Sequence, residues 1–396
     1  MPQFSNGWLH GYQSRKNIGG NTQYGEARSL SANAATEMMQ IRQALSIYAP
    51  QDIFNCDEAG LCWKMIPDKS LSTQSIPGRK KEKARINALF CCNSDSSERL
   101  PIWFIGTAKR PKAFTAAGIN TENLGCVWRS NKKAWVTAVI FKEWLLWFDK
   151  MMAGRKVVLL MDNLSAHETA FKDIGSHLQN TLIIWLPSNS TTPYQPLDQG
   201  IIPTWKAYWK RQWILYILAE FDRGFNPVST MTVLQALRWA ISAWNIDLKS
   251  DTIRRCFKRA LSIENAGEIE DQELLNELQQ GLQKLQLSNK IQEAMDINQF
   301  LNPQDEQMDD NFADLDDIIL SQFAATEPES DDENWEPLPR ITASDALQCL
   351  YKFRLFEEQQ VDADRSLIQH LIRHERVLAR KKVEKQQQCD IRQYFR

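Results

Sequence analysis

The sequence lacks any pair of cysteines with CxxC spacing, although it holds 8 cysteines in 396 residues. Thiolates that clamp structural zinc usually come in such closely spaced pairs, so a zinc-binding module has little support. The chain also lacks a signal peptide and any apolar run approaching the ~18–20 residues that cross a bilayer. These absences predict an intracellular protein of a reducing compartment, without a membrane partner.

Lysine and arginine are absent from residues 303–339, which carry 13 acidic residues. A stretch of this composition cannot bury enough apolar surface to order alone, which predicts a disordered acidic linker. In contrast, residues 1–263 hold 33 Lys and Arg against 20 Asp and Glu, a net charge of +13. This excess suits a polyanionic partner such as DNA, and it equally suits an ordinary solvated surface.

Three aspartates stand at the ends of apolar runs: Asp57 in IFNCDEAGLCW, Asp162 in KVVLLMDNLSAH and Asp198 in PLDQGII. Magnesium is a hard cation that takes carboxylate oxygens and keeps waters and substrate phosphate oxygens. Two such ions about 3.5–4 Å apart can activate an attacking oxygen and stabilise a leaving one. Any one of these aspartates could be a turn or capping residue. The hypothesis of a phosphodiester-cleaving metal site therefore rests on the three together.

These motifs, in this order, resemble the DDE transposases of the pogo-like branch of the Tc/mariner superfamily, which includes centromere protein B, jerky and Tigger-like proteins. The resemblance runs from about residue 4 to about residue 262 and includes RINALFCCNSD (85–95), LPIWFIGTAKRP (100–111) and NKKAWVTAVIFKEWLLWFD (131–149). It implies a DDE endonuclease domain at 34–262, with Asp57, Asp162 and Asp198 as catalytic ligands of two Mg²⁺ or Mn²⁺ ions. It also implies a reaction in which water frees a 3′-OH that then attacks target DNA.

The hydropathy pattern predicts an α/β fold. Runs at DIFNCDEAGLCW, RINALFCC and LPIWFIG indicate an antiparallel meander, and KVVLLMD and TLIIWLP indicate buried parallel strands after a helix at about 137–152. This order is that of the RNase H-like fold, a mixed sheet of three antiparallel and two parallel strands flanked by helices. The ends of the first and fourth strands are neighbours in that fold, which would bring Asp57 and Asp162 together. Strand side chains alternate faces, so only one of Asp57 and Glu58 can enter the site, and the resemblance selects Asp57.

The regions outside this core carry separate expectations. Residues 1–20 resemble the last helix of a centromere-protein-B-type helix-turn-helix, whose other helices would precede them, so we expect an N-terminally truncated chain. The pattern of residues 263–302 predicts a polar helical segment suited to homo-oligomer formation. The pattern of residues 340–385 predicts a basic helical segment after the linker at 303–339. Together these stretches form a helical and partly disordered acidic C-terminal extension.

Two groups of basic residues are candidates for contacts with DNA phosphates. The first lies in GRKKEKAR and comprises Arg79, Lys80, Lys81, Lys83 and Arg85, for which the alternatives are a nuclear-localisation patch and a solvated loop. The second lies on a helix predicted at about 203–222 and comprises Lys206, Lys210 and Arg211, for which the alternative is a solvated helix face. His167 follows Asp162 by five residues and could either approach the scissile phosphate or make a structural hydrogen bond.

The tail at 386–396 contains QCDIRQYF, which matches the motif by which proteins dock onto the proliferating-cell sliding clamp. Ile391, Tyr394 and Phe395 would share one face of a single helical turn and fill an apolar pocket, with Gln388 hydrogen-bonding beside them. The alternative is a chance amphipathic turn.

Three functions from different classes stay open. The first is a nuclear, metal-dependent transposase and endonuclease that acts on double-stranded DNA. The second is a domesticated or remnant DNA-binding regulatory protein without transposition activity. The third is an interaction protein whose tail binds the clamp while its core is inert.

A peptide covering 380–396 should bind purified sliding clamp with a roughly micromolar Kd in isothermal titration calorimetry. Buried aromatic anchors dominate small interfaces, so replacing Tyr394 and Phe395 together by alanine should abolish the heat of binding. Replacing Arg392 and Gln393, which lie between the anchors, should leave the affinity nearly unchanged. No heat at ~100 µM clamp would mean that the match is accidental.

Overall fold

The computed structural model describes residues 34–68, 84–119, 121–187, 194–261, 271–291, 293–303, 306 and 339–360, and, from there to 379, residues 362, 364, 366–368, 370–375 and 377–379. The segment at 1–20, the basic residues at 79–83 and the motif at 386–396 lie outside the described residues. Two compact units are present, and the described residues from 339 onward belong to the smaller one.

A mixed sheet forms the centre of the larger unit. Its described strands are β1 (Ile53–Cys62), β2 (Arg85–Asn93), β3 (Trp103–Gly106), β4 (Val127–Ser130), β5 (Val157–Met161) and β6 (Thr181–Trp185), in the order β4-β3-β2-β1-β5-β6. β1, β2 and β3 pair antiparallel, and β1, β5 and β6 pair parallel. The expected RNase H-like arrangement is therefore confirmed.

The short edge strand β4 is an addition to the predicted sheet. It pairs parallel to β3, with Trp103 opposite Val127. All four residues of this strand are only partly buried. Without alternating buried and exposed positions, the sequence VWRS carries no strand signal for pattern analysis to detect.

The helices carry the remaining layers. Those described are α1 (Ala34–Leu45), α2 (Lys112–Ala116), α3 (Ala138–Met151), α4 (Ser165–Ile174), α5 (Ile202–Asp222), α6 (Pro227–Thr230), α7 (Val233–Ser242), α8 (Ser250–Leu261), α9 (Gln272–Leu287), α10 (Ile297–Leu301) and α11 (Ala343–Glu358). None of the described helices combines the length and apolar composition needed to cross a bilayer.

Helices α3 and α4 cover one face of the sheet. The apolar residues of α3 recur at helical spacing, and Phe141, Trp144 and Phe148 pack into one core with Phe54 and Cys56 of β1. The helix begins where Thr137 Oγ1 accepts a hydrogen bond from the backbone N–H of Ile140.

Helix α5 and the segments that follow it cover the opposite face. Phe90 of β2 lies against Trp205 of α5, with ring centroids 4.7 Å apart, and against Trp244, at 5.0 Å. Aromatic pairs of this edge-on and tilted geometry add to the hydrophobic contribution of burial. The two helical layers therefore lie on opposite sides of β1, and neighbouring residues of that strand face different layers.

A buried ion cluster ties the acidic segment to α5. Glu306 is 4% exposed, and its carboxylate accepts hydrogen bonds from Lys206 Nζ at 2.8 Å, Lys210 Nζ at 3.1 Å and the backbone N–H of Cys62 at 2.8 Å. A Cβ on Gly60 would come within 2.6 Å of the Glu306 carbonyl oxygen, so this approach requires glycine. The start of the predicted linker at 303–339 is therefore packed into the core. Composition could not reveal this, since the partners of Glu306 lie about 100 residues upstream.

Helix α9, within the predicted polar segment 263–302, packs onto α5. Its apolar stripe, Leu274, Leu278, Leu282 and Leu285, is buried. A Cβ on Gly281 would lie 2.6 Å from Ile214 Cγ2, which shows how closely the two helices approach. Because this stripe is covered by the same chain, it is not available for the self-association that the sequence suggested.

The smaller unit contains a helical pair within the predicted segment 340–385. Helix α11 starts with a reciprocal capping arrangement between Thr342 and Asp345, and it ends at Glu358. The described residues between 366 and 379 are helical again, and Arg354 Nε of α11 lies 3.0 Å from a carboxylate oxygen of Glu375. The described residues of this segment therefore lie in two helical stretches.

Replacing Glu306 by glutamine should lower the free energy of unfolding by about 3 kcal/mol or more, because two buried ammonium groups lose the carboxylate charge that they share. The matched control is Glu277→Gln, whose carboxylate pairs with Arg211 at 3.2 Å but is 47% exposed. That variant should lose less than about 1 kcal/mol. Equal losses in urea denaturation would contradict the account of the buried cluster.

Candidate active site

Asp57 lies on β1 just beyond the paired part of β5. The parallel register places Asn55 opposite Leu160, so continuing by two residues brings Asp57 level with Asp162. Asp57 is 8% exposed, and its Oδ1 accepts a hydrogen bond from the backbone N–H of Glu58 at 2.8 Å. Burial raises the pKa of the Asp57 carboxyl well above its usual range, and the charges of Asp198 and Asp162 raise it further.

Asp198 lies on a wide turn, Leu197–Ile201, that leads into α5. Gly200 makes this turn possible, because its φ of 133° is a conformation that side chains strongly disfavour. Two amides fasten the turn to β1. Asn55 Nδ2 donates to Gln195 Oε1 at 3.0 Å, and the backbone N–H of Leu197 donates to Asn55 Oδ1 at 3.0 Å.

Asp198 interacts directly with the carboxyl group of Asp57. Loss of hydration around the Asp198 carboxyl raises its pKa to about 6, and the charge of Asp162 adds to this, whereas hydrogen bonding to Asp57 and the charge of Lys206 lower it. As a whole residue, Asp198 is exposed to solvent. Water screens the charge there, so carrying it costs less than carrying that of the buried Asp57.

The structure thus brings the three predicted aspartates together at one edge of the sheet. Two adjacent carboxylates repel each other when both are ionised. Such a pair therefore either keeps a proton or binds a cation that offsets the repulsion. Their oxygen donors fit a hard divalent ion such as Mg²⁺ or Mn²⁺. Within the described part of the chain, no group of three or more His, Cys, Asp or Glu side chains is arranged so that it could hold a metal ion as it stands. The aspartate oxygens are therefore donors of the right kind, and holding a cation would require these side chains to draw closer together.

A buried histidine orients Asp162. His167 is fully buried, with Nδ1 2.7 Å from Asp162 Oδ1 and Nε2 3.1 Å from Glu58 Oε1. The ring lies against Phe141, with centroids 3.9 Å apart. Burial lowers the pKa of His167, but the charge of Glu58 and the hydrogen bonds to both carboxylates outweigh it and raise this pKa to about 10. The imidazolium is therefore charged at neutral pH and donates to both carboxylates.

Glu58 belongs to the site, although strand alternation led us to expect only Asp57 there. Strand alternation does place it on the face opposite Asp57, as expected, but His167 connects it to Asp162 from that side. The available signal was the pair of adjacent acids in CDEAG followed by the histidine five residues after Asp162. Of the two roles left open for His167, its burial and its hydrogen bonds favour the structural one.

The structure corrects part of the predicted DNA-contact set. Lys206 is 6% exposed and Lys210 is fully buried, and both pair with Glu306, so neither ammonium can reach a DNA phosphate in this state. Arg211 is partly exposed and pairs with Glu277 at 3.2 Å. Arg85 starts β2, where Nη2 donates to the carbonyl oxygen of Lys133 at 3.0 Å. The four residues from Arg79 to Lys83 in this set lie outside the described part of the chain.

The strand order and the flanking helices define an RNase H-like fold, and the three aspartates lie where its central parallel strands end. A family profile for the DDE superfamily endonuclease matches residues 83–257. CENP-B homolog protein 2 of Schizosaccharomyces pombe is 36% identical over 392 residues, which cover 96% of this chain and 75% of that protein. The chain belongs to the DDE superfamily endonuclease family, in its pogo-like, Tc/mariner-related branch.

Further relatives carry names of two kinds. ARS-binding protein 1 of Schizosaccharomyces pombe is 34% identical, over 96% of this chain and 74% of its own. The mouse Tigger transposable element-derived protein 4 is 27% identical, over 65% of this chain and 49% of its own. Among solved structures, the Mos1 strand transfer complex matches with a TM-score of 0.34 at 10% identity, over 69% of this chain and 70% of that one. That structural likeness is too weak to support a functional comparison.

Replacing Asp57 by asparagine should raise the melting temperature in EDTA at pH 7.5 by about 2–4 °C per kcal/mol of relieved repulsion. The amide oxygen can still accept the Glu58 N–H, while the buried charge disappears. The pKa of Asp57 is higher in the folded state than in the unfolded state. Such a carboxyl stabilises the fold at pH values below its pKa in the unfolded state, and this contribution is lost as the pH rises through its pKa in the folded state. The advantage of the variant should therefore grow with pH and vanish near pH 4.

The same thermal scan with Mn²⁺ supplies the second arm of this test. The unaltered chain should gain stability from the ion, and the Asp57→Asn variant should gain little. A variant that is less stable in EDTA at every pH, or one that is stabilised fully by Mn²⁺, would contradict the description of a strained, cation-binding carboxylate cluster.

Proposed function

We propose that this protein is a nuclear, metal-dependent DNA endonuclease and strand transferase of the transposase type. The observation that carries the proposal is the electrostatic coupling of Asp57, Asp162 and Asp198 at one sheet edge, in a chain of the DDE endonuclease family. Three carboxylates crowded together cost stability, and a fold retains such a cluster more readily where a cation is to be bound. The substrate is double-stranded DNA.

Asp57, Asp162 and Asp198 would hold two Mg²⁺ or Mn²⁺ ions. The ions would supply Lewis-acid activation and charge neutralisation at the phosphodiester. The protein's own part is positioning. His167 and Glu58 fix the orientation of the Asp162 carboxylate, and hydrogen bonds to Asn55 hold the turn of Asp198 against β1.

The remaining expected partners extend this proposal. Docking of the tail through Gln388, Ile391, Tyr394 and Phe395 on the sliding clamp would bring DNA cutting close to repair synthesis. The basic residues from Arg79 to Arg85 remain candidates for phosphate contacts or a nuclear-localisation signal. Formation of a homo-oligomer would have to use a surface other than the covered stripe of α9.

A second candidate function is a chromosomal DNA-binding protein that has lost transposition. It is favoured by the names of the relatives that cover most of the chain, which include CENP-B homolog protein 2 and ARS-binding protein 1. The two functions differ in whether the carboxylate cluster binds metal productively. All three aspartates are present here, and this favours retained chemistry.

The purified chain should nick supercoiled plasmid DNA in Mg²⁺ or Mn²⁺ and be inactive in EDTA. Asp57→Asn, Asp162→Asn and Asp198→Asn should each lower the nicking rate by at least about 10²-fold, because each removes a ligand charge at the reacting phosphate. Gel quantification of nicked and linear product measures the rate.

The matched control for this assay is Asp173→Asn on α4. Its carboxylate is 58% exposed and pairs with Lys142 at 3.3 Å, on the face of the sheet away from Asp198. This variant should cut at the rate of the unaltered chain. A chain that binds DNA but shows no metal-dependent nicking would favour the second candidate.

A further inference from the structure

The contacts with DNA expected from Lys206 and Lys210 cannot form beside Asp198, because both lysines are buried and paired with Glu306. A nuclease acting on a polyanion needs positive charge near its site to bind backbone phosphates. Exposed positive charge lies instead on α8, which contacts the turn that carries Asp198.

Helix α8 is strongly amphipathic. Its buried face consists of Ile253, Cys256, Phe257 and Ala260. Arg254, Arg255 and Lys258 are exposed on the other face, and Lys249 lies just before the helix with a side chain that is 72% exposed. We call Arg254, Arg255, Lys258 and Lys249 the basic helix face. Asp251 is the acidic residue within this helix, and it pairs with Arg254.

The helix is fixed directly against the catalytic turn. Arg259 Nη1 donates a hydrogen bond to the carbonyl oxygen of Gln199 at 3.1 Å, and Cys256 Sγ donates to the same oxygen at 3.3 Å. A Cβ on Gly200 would lie 3.3 Å from Cys256 Sγ, so the turn and the helix are in close contact. Gln199 immediately follows Asp198, and α8 therefore lies beside the candidate active site.

The start of α8 is held as firmly as its middle. Arg99 Nη1 donates to the carbonyl oxygens of Trp244 and Leu248, each at 2.7 Å, and Arg99 Nη2 lies 3.0 Å from Ser250 Oγ. These bonds lock the segment that enters the helix to the strand region. The basic helix face is thus presented on a rigid element, which a phosphate-binding surface requires if it is to orient DNA.

A cleft adjoins this face. Its volume is about 320 Å³, and its lining includes Gln199, Gly200, the cations Lys249, Arg255 and Arg259, and the acids Asp271 and Glu273. Lys249 pairs with Asp271 at 3.7 Å. The cleft therefore connects the residues that directly follow Asp198 with the cations of α8. A phosphate backbone running from the cleft along the helix would pass the third aspartate.

We infer that the basic helix face binds the phosphate backbone of double-stranded DNA next to the scissile bond. The inference rests on the proposed function and adds the surface that positions the substrate. A basic stripe on an amphipathic helix is often only a solvated surface. Here its contact with the turn of Asp198, its rigid anchoring and the burial of the nearby lysines of α5 favour a DNA phosphate as its partner.

The test uses the full chain in EDTA, so that no cleavage occurs. Fluorescence anisotropy measures binding to two unrelated duplexes of about 30 base pairs between about 50 and 200 mM salt. Because each lost phosphate contact reduces the slope of log K against log salt by about 0.9, Arg255→Gln with Lys258→Gln should reduce it by about 1.8. The loss should be the same for both duplexes, since phosphates carry no sequence information.

The control is Lys142→Gln with Lys172→Gln, on the opposite face of the sheet. These side chains are 40% and 74% exposed, and their removal changes the net charge by the same amount. The control pair should bind with the slope of the unaltered chain. Thermal unfolding checks that both double variants are folded, and Arg259 is left unchanged because it supports the turn.

Equal slopes for the unaltered chain and the α8 variant would overturn the inference, as would equal losses in the two double variants or no binding of the unaltered chain at about 50 mM salt. These outcomes are independent of the proposed chemistry. If the unaltered chain nicks DNA in Mn²⁺ but the α8 variant binds DNA with an unchanged salt slope, only the proposed DNA-binding surface is refuted. If the unaltered chain fails to nick DNA but the α8 variant shows the predicted reduction in salt slope, only the proposed chemistry is refuted.

Discussion

Mutual repulsion among the carboxylates of Asp57, Asp162 and Asp198 is the constraint that the surrounding structure must offset. Without a cation, burial raises the pKa of Asp57, and the charges of Asp198 and Asp162 raise it further. Forces elsewhere hold them in place. The parallel register of β1 and β5 aligns two of them, and hydrogen bonds between Asn55 and the Gln195–Leu197 segment hold the turn that carries the third. The fold thereby maintains a repulsion between carboxylates that a divalent cation would relieve.

Positive charge is distributed in two distinct ways around this cluster. On the face of α4, the imidazolium of His167 lies between Asp162 and Glu58, where it fixes the Asp162 carboxylate. On the face of α5, the charge of Lys206 lowers the pKa of Asp198, yet its ammonium is bound to Glu306. These internal cations orient the Asp162 carboxylate and stabilise the core. Cations available to a polyanionic substrate have to come from exposed elements such as α8.

The sequence was sufficient to predict those features that leave a local or ordered pattern. Continuous apolar runs predicted β5 and β6, helical spacing predicted α3, and the order of these elements placed Asp57 beside Asp162. The edge strand β4 escaped prediction because its four residues show no alternation. A strand or helix could be predicted where its burial leaves a continuous apolar run or a helical period in the sequence, and the partial burial of β4 leaves neither.

Other features escaped prediction because they depend on partners that are distant in the chain. Lys210 looks like any solvated lysine until Glu306, 96 residues later, is seen beside it. Glu58 looks excluded from the site by strand alternation until His167, 109 residues later, connects it to Asp162. Buried ionic contacts of this kind are set by tertiary packing, and no local pattern in the sequence encodes the pairing.

The central claim is that the three aspartates form a divalent-metal site. The most direct measurement is anomalous diffraction at the manganese absorption edge from a crystal of the chain soaked with Mn²⁺. The account predicts an anomalous peak at the sheet edge, about 2.0–2.3 Å from a carboxylate oxygen of Asp57 and in contact with Asp162 or Asp198. Manganese bound elsewhere, with no peak at Asp57 at saturating Mn²⁺, would contradict it.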